Sequence, residues 1–180
     1  QGFLPELMEK MYTERVVFKK KAIEAKKEYQ KTKDPIYQNE ISRCHNIQMA
    51  KKISLNSAYG AIGNQYFRYF DVKQAEAITL GGQLSIRWVE RDVNRFMNKL
   101  LNTDNKNYVV ASDTDSIYLK LDTLVEKVCK GKSTKQIVDF LNKAAEEKIQ
   151  KVIDDSYQNL AHYVNAYQQK MIMKREAIAN

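Results

Sequence analysis

Tyr108-Val-Val-Ala-Ser-Asp-Thr-Asp-Ser-Ile-Tyr-Leu-Lys-Leu121 decides how the rest of the 180-residue chain is read. Tyr108 to Ala111 is a short apolar run, and Ile117, Leu119 and Leu121 alternate with Ser116, Tyr118 and Lys120. The pattern predicts a strand, a tight turn and a second, half-buried strand. The turn carries Asp113 and Asp115, and an extended backbone sends side chains two residues apart to the same side. Two carboxylates about 4 Å apart near a protein surface repel by roughly 4 kcal/mol, so a cation must offset them or one must keep its proton. Hard oxygen ligands suit Mg²⁺, which binds through one or two carboxylates together with substrate phosphates. Asp is also a favoured turn residue, and taken alone Asp-x-Asp reads as a plain hairpin tip.

Working upstream, Asn102 to Asn107 is a polar loop, preceded by a helix from Asp71 to about Leu101 with Val89, Val93, Phe96 and Leu100 as its buried stripe. Asp71 with Gln74 forms an expected capping box, and Gly81-Gly82 suits a close approach of another backbone. Gly63 to Phe70, with four aromatic residues, is expected to be a turn and a short extended piece. Downstream, Asp122 caps a short helix ending near Gly131, and Ser133 with Gln136 opens a long helix. Ile137, Leu141, Ala144, Val152, Ser156, Leu160 and Tyr167 keep its phase. From Lys170 the period falls to two, which predicts a strand through Met171, Met173 and Arg175, the methionines serving as core packing.

The first 60 residues read as two helices. Leu4, Leu7, Met8 and Met11 fall on helical spacing, and the helix continues to about Lys31. Lys33-Asp34-Pro35 breaks it, and periodicity resumes from about Tyr37 to Tyr59, with Gly60 as the expected C-terminal cap. Such a pair is an antiparallel hairpin. Counted from Pro35, Lys19 and Lys52 sit at one level, roughly 25 Å from the tip at about 1.5 Å per residue. Arg15 is then level with Asn56, and Lys52, Asn56 and Tyr59 share one face. Three cations and an aromatic gathered there suit a triphosphate bearing a flat base; cations standing separately in solvent fit the spacing as well.

Bulk properties narrow the classes. Residues 1–70 hold 13 Lys/Arg and 7 Asp/Glu, a net +6, against +2 for the remainder. A basic half beside a nearly neutral one fits a polyanion partner, or a solvated Lys-rich helix surface. No apolar run approaches the ~18 residues of a membrane span, and no signal peptide is visible. Cys44, Cys129, His45 and His162 are too few and too scattered for a zinc site or disulfide framework, which implies a reducing interior. Gln1-Gly2 reads as a tag remnant.

Two motifs carry a resemblance. Lys52-Ile-Ser-Leu-Asn56-Ser57-Ala58-Tyr59-Gly60 resembles the Lys-x-x-x-Asn-Ser-x-Tyr-Gly fingers motif of family B DNA polymerases, and Asp113-Thr-Asp-Ser116 resembles their palm motif, in the same order. Gly60 to Asp71 and Lys174 to Ala179 look especially like the replicative polymerases of T-even-type bacteriophages. The resemblance implies an α+β fold: a long antiparallel helical hairpin (fingers, 1–60) attached to a partial palm (61–180) with a small antiparallel sheet and packed helices. It implies template-directed DNA synthesis with two Mg²⁺ ions in the complete site, held by Asp113 and Asp115 as catalytic and metal-ligating acids. Arg15, Lys19 and Lys52 would grip the β- and γ-phosphates of a deoxynucleoside triphosphate, and Asn56 and Tyr59 would shape the pocket for base and sugar. Rotation of the hairpin toward the palm is the implied gating motion. The implied partners are primer-template DNA, dNTP and the remaining polymerase segments, with no membrane, in the cytoplasm of an infected bacterial host.

The departures are specific. Ala111-Ser112 stands where the family has an aromatic and a glycine, and Ser is less free at positive φ. No counterpart of the family's upstream palm carboxylate motif, exonuclease, thumb or Lys-rich palm motif is present, so the expectation is a fragment that is inactive alone. Two other readings compete. One is a non-catalytic nucleic-acid- or partner-binding module on the basic hairpin; the other is a glycosyltransferase Asp-x-Asp, which lacks the nucleotide-binding βα repeat.

Overall fold

The structure is a computed structural model and describes residues 2–179; Gln1, half of the expected tag remnant, lies outside the described residues. The chain separates into two compact units, Gln1–Ala77 and Ile78–Asn180.

In the first unit, α1 (Phe3–Thr32) and α2 (Pro35–Ile62) form the expected antiparallel hairpin. Lys33 closes α1 in the left-handed conformation (φ 58°), its N–H donating to the Tyr29 carbonyl, and the Asp34 carboxylate accepts from the Ile36 N–H to cap α2. Ala22, Ala25 and Cys44 are buried along the seam, where small side chains let the two backbones approach. α2 runs past Gly60, the expected cap, and stops at Gly63, whose N–H reaches the Tyr59 carbonyl. Beyond it, Asn64 to Phe70 is a succession of turns with no extended piece. Asn64, Phe67 and Phe70 each donate to the carbonyl three residues back. Asp71 then accepts from the Lys73 and Gln74 N–H groups at 3.0 and 3.3 Å and starts α3 (Val72–Leu101).

The second unit is built on the later part of α3. Its buried residues are Ser85, Val89, Val93, Met97 and Leu101, so the stripe is turned from the one expected: Leu100 is exposed and Phe96 only partly covered. Gly81 and Gly82 have no atom within 4 Å of where a Cβ would stand, so no second backbone approaches them. β1 (Val109–Asp113) and β2 (Ser116–Leu119) pair antiparallel, Val109 opposite Leu119 and Asp113 opposite Ser116, with a bulge at Val110. α4 (Asp122–Val128) follows with Leu121, not Asp122, at the N-cap position; Asp122 opens its first turn.

Ser133 and Gln136 make the expected capping box on α5 (Thr134–Ala144). A π-helical turn, Ala145–Ile149, joins it to α6 (Gln150–Tyr163). The wider turn takes in one extra residue, and the buried face after it widens to Ile149, Ile153 and Tyr157 beside the expected Ser156 and Leu160, while Val152 is only partly covered. These side chains join Val89, Val93, Met97, Tyr108, Val109 and Leu124 in one core.

Residues 164–179 are neither helix nor strand, which corrects both the helical continuation to Tyr167 and the strand from Lys170. Among the described strands β1 and β2 pair only with each other. The segment is held instead by the Gln150 amide donating to the Met173 carbonyl (2.8 Å), an Arg175–Glu146 ion pair (3.7 Å), and Met173 and Ile178 against the core. Met173 packs as expected, whereas Met171 is exposed.

Candidate functional site

The residues marked out by sequence fall in both units, and each group has its own geometry. On the arm, a cross-helix ion pair joins Glu14 and Lys51. Lys19 shares a shallow hollow with His45 and Gln48 of α2. Both contacts are symmetric about Lys33, the residue at which the chain reverses, and not about Pro35. The register is therefore corrected. Lys19 lies opposite His45 and Gln48, about one to two turns nearer the tip than Lys52, while Arg15 is level with Lys51 and Lys52.

Lys52 and Asn56 are exposed, Tyr59 is about half exposed, and Arg15 is half-buried with its Nε shielded and unpaired among the described residues. Lys51 holds the Glu14 carboxyl below the usual carboxylate range, chiefly by its hydrogen bond and then by its charge. At this level the arm has a neutralised pair, Glu14–Lys51, beside Arg15 and Lys52, whose donors remain available. Lys51 was not singled out in the sequence, although opposite charges equidistant from Lys33 were a usable signal.

The acids sit on a tighter turn than extended backbone allows. The Asp115 N–H donates to the Asp113 carbonyl at 2.6 Å, closing a three-residue turn around Thr114 at φ 52°. That is the conformation of the rare, strained γ-turn, and a β-branched residue there is an outlier. The positive φ falls on Thr114; Ser112, where strain was expected, is paired in β1 opposite Ile117. Thr114 Oγ1 donates to Asp113 Oδ1 (3.0 Å) and Ser116 Oγ to the Asp113 carbonyl (3.2 Å), so the turn is cross-braced by its own hydroxyls. Both aspartates are exposed. Behind them stands Tyr157 of α6, whose hydroxyl pKa is raised by burial and, secondarily, by the charge of Asp115.

Two asparagines on α3 place this hairpin. Asn94 Oδ1 accepts from the backbone N–H groups of Tyr108 (2.8 Å) and Val109 (3.0 Å). Asn98 donates to the Lys106 carbonyl (2.7 Å), accepts from the Lys106 N–H (3.0 Å) and accepts from Thr103 Oγ1 (2.8 Å). Thr103 in turn bonds the buried Tyr108 hydroxyl at 2.8 Å. Asn94 and Asn98, four residues apart on one helix face, were missed because a polar pair there reads as a solvated surface.

Among the described residues no three His, Cys, Asp or Glu side chains gather as a metal-binding set. Two exposed carboxylates on one short turn nevertheless match the way Mg²⁺ is held, through one or two carboxylates with phosphate oxygens completing its shell. No described helix is long and apolar enough to cross a membrane.

Comparison with known proteins follows the same residues. Residues 1–174 match DNA polymerase family B. The chain is 42% identical over 134 residues to a DNA-directed DNA polymerase of Escherichia phage RB69 and 40% identical over 134 residues to that of Enterobacteria phage T4. Each alignment covers 73% of this chain and 15% of the relative, so the chain spans a small part of the length of the polymerases it matches.

Proposed function

Because this chain belongs to DNA polymerase family B, we propose that it supplies the nucleotide-gripping arm (1–60, the fingers) and the acid-bearing part of the palm (61–180) of a DNA-directed DNA polymerase. The reaction is nucleotidyl transfer from a dNTP to a primer 3′-hydroxyl, with the remaining polymerase segments and primer-template DNA as partners, in the cytoplasm of an infected bacterium. The observation that carries the reading is the coincidence of the Asp113-Thr114-Asp115 turn with the Lys52–Asn56–Tyr59 face in one family B chain.

Arg15 and Lys52, level on the arm, offer the guanidinium fork and the ammonium that triphosphate oxygens accept from, with Lys19 one to two turns away. Their positive charge favours the departing pyrophosphate. Asn56 and Tyr59 continue the Lys52 face toward the base and sugar. Asp113 and Asp115 would hold Mg²⁺ together with the triphosphate, and the γ-turn with its Thr114 bond steadies the Asp113 carboxylate before substrate arrives. When bound, the metal supplies Lewis-acid stabilisation of the entering and leaving oxygens. Asn94 and Asn98 are positioning residues, holding the strand that ends in Asp113.

The test is nucleotide use by a polymerase containing this sequence. Lys52→Ala is expected to weaken dNTP use by more than tenfold while primer-template affinity stays within twofold. Equal losses in both would refute the triphosphate role. The glycosyltransferase reading is set aside by the family match.

A further inference from the structure

On the arm, toward its tip from Lys52, a hollow of about 160 Å³ is lined by Lys19, Ala22, Ile23 and Lys26 of α1 and by His45 and Gln48 of α2. Its polar lining is two ammonium groups, an imidazole and a carboxamide, and no carboxylate borders it. Lysine has donors and no acceptor. Lys19, Lys26, His45 and Gln48 make no side-chain hydrogen bond or ion pair among the described residues, unlike Lys31, Arg43 and Lys51, each matched to a glutamate. Hydrogen-bonding capacity on this patch is thus directed outward and is anion-seeking. Ala22 and the half-exposed Ile23 add an apolar floor that a bare phosphate does not need and a base or sugar does. Lys19 and Lys26 are about 10 Å apart along the helix, so the two ammonium groups address successive points along an extended polyanion and not one phosphate.

We propose that this hollow is a second phosphate-binding site, sharing Lys19 with the nucleotide-gripping residues but otherwise separate from them, that takes the backbone of a single nucleic-acid strand. Lys26 and His45 are its distinguishing residues, with Lys19 at its border toward Arg15. The inference goes beyond the nucleotide reading and stands whether or not Lys52 grips a triphosphate, since neither Lys52 nor Asn56 lines the hollow.

The test uses the whole 180-residue chain and a fluorescently labelled dT20 oligonucleotide, followed by anisotropy between 50 and 200 mM NaCl. Lys26→Gln with His45→Gln is expected to weaken binding at least fivefold and to make the log–log salt slope shallower by about 0.7–1.4, the value for one or two phosphate contacts on a single strand. Lys26→Arg with His45→Arg should restore both. Unchanged affinity and slope in the glutamine variant, with wild-type helicity by circular dichroism, would overturn the proposal. Equal affinity for dT2 and dT20, with displacement by millimolar inorganic phosphate, would assign the hollow to a free phosphate and overturn the strand assignment. Failure of the nucleotide reading shows separately, as Mg²⁺-dATP binding that Lys52→Ala leaves unchanged.

Discussion

Thr114 carries the local strain of the acid turn: its positive φ costs an L-residue about 1–2 kcal/mol, yet its hydroxyl braces Asp113. Thr114→Gly removes the strain and the brace together, and the brace is worth about 0.5–1.5 kcal/mol net. Urea unfolding should therefore place Thr114→Gly within about 1 kcal/mol of the parent. Nucleotide incorporation by a polymerase carrying it should fall, because the Asp113 carboxylate loses its brace. A stability loss above about 2 kcal/mol would show that the turn is not strained. Strain at a site of chemistry follows from an observed outlier here, and the sequence hid it: Thr is a strand-forming residue, so attention went to Ser112. The acids and Lys52 stood out as candidates because few residue types do metal and phosphate chemistry. The bracing hydroxyls were not, since Ser and Thr occur everywhere.

Among the elements, α3 and the β-hairpin are joined by Asn94, which satisfies two backbone donors at once. Asn94→Ala leaves the Tyr108 and Val109 N–H groups without that acceptor, at about 1–3 kcal/mol for each buried group. A loss of about 2–4 kcal/mol in urea unfolding is expected; a change below about 0.5 kcal/mol would mean the hairpin is held by other contacts. The arm has a clip of its own. The Glu14 pKa is lower in the folded arm than in the unfolded chain, because Lys51 donates to the carboxylate. Its stabilising contribution is therefore present above the ordinary carboxylate range and is lost as pH falls through the lowered value. In urea unfolding of the whole chain, the parent should be more stable than Glu14→Gln near neutral pH, with the gap closing as pH falls through the lowered Glu14 pKa and absent when Lys51→Met is also present; a gap that persists at low pH would contradict the clip. Element identities were legible over most of the chain, as two long helices with a breaker, an apolar and an alternating strand, and a Ser133 capping box, and failed beyond Tyr163, where the helical phase and the period-two pattern both misled. The register of the arm was not, because the reversal centres on Lys33 in a left-handed conformation that nothing in a lysine advertises. The π turn at Ala145–Ile149 was equally silent, and beyond it Ile153 and Tyr157 join the expected Ser156 and Leu160 on the buried face of α6. The period-two pattern near Met173 marked no strand: of its expected face, Met173 packs on the core and Met171 and Arg175 are exposed.

At the scale of the molecule, family membership and the 15% share of its relatives' length bear on how much chemistry these residues can complete. The described acids number two where a metal set of three is absent among the described residues, so the isolated 180-residue chain is expected to bind Mg²⁺ weakly and to extend no primer. Robust templated extension by the purified chain would show that its own residues suffice. The helical pair and the strand-turn-strand were readable from order and period, and the α+β class followed from the family resemblance, whereas the division at Ala77 and Ile78, inside α3, was not legible. A helix that runs through a boundary gives no break in composition to mark it.

The most direct measurement is primer extension by a polymerase containing this sequence, with Asp113→Asn and Asp115→Asn introduced together. Losing several kcal/mol of transition-state stabilisation predicts a fall of at least about a thousandfold in incorporation rate, with primer-template affinity largely kept. Extension at the parental rate would contradict the assignment of these two acids to the metal, and with it the polymerase chemistry proposed for this chain.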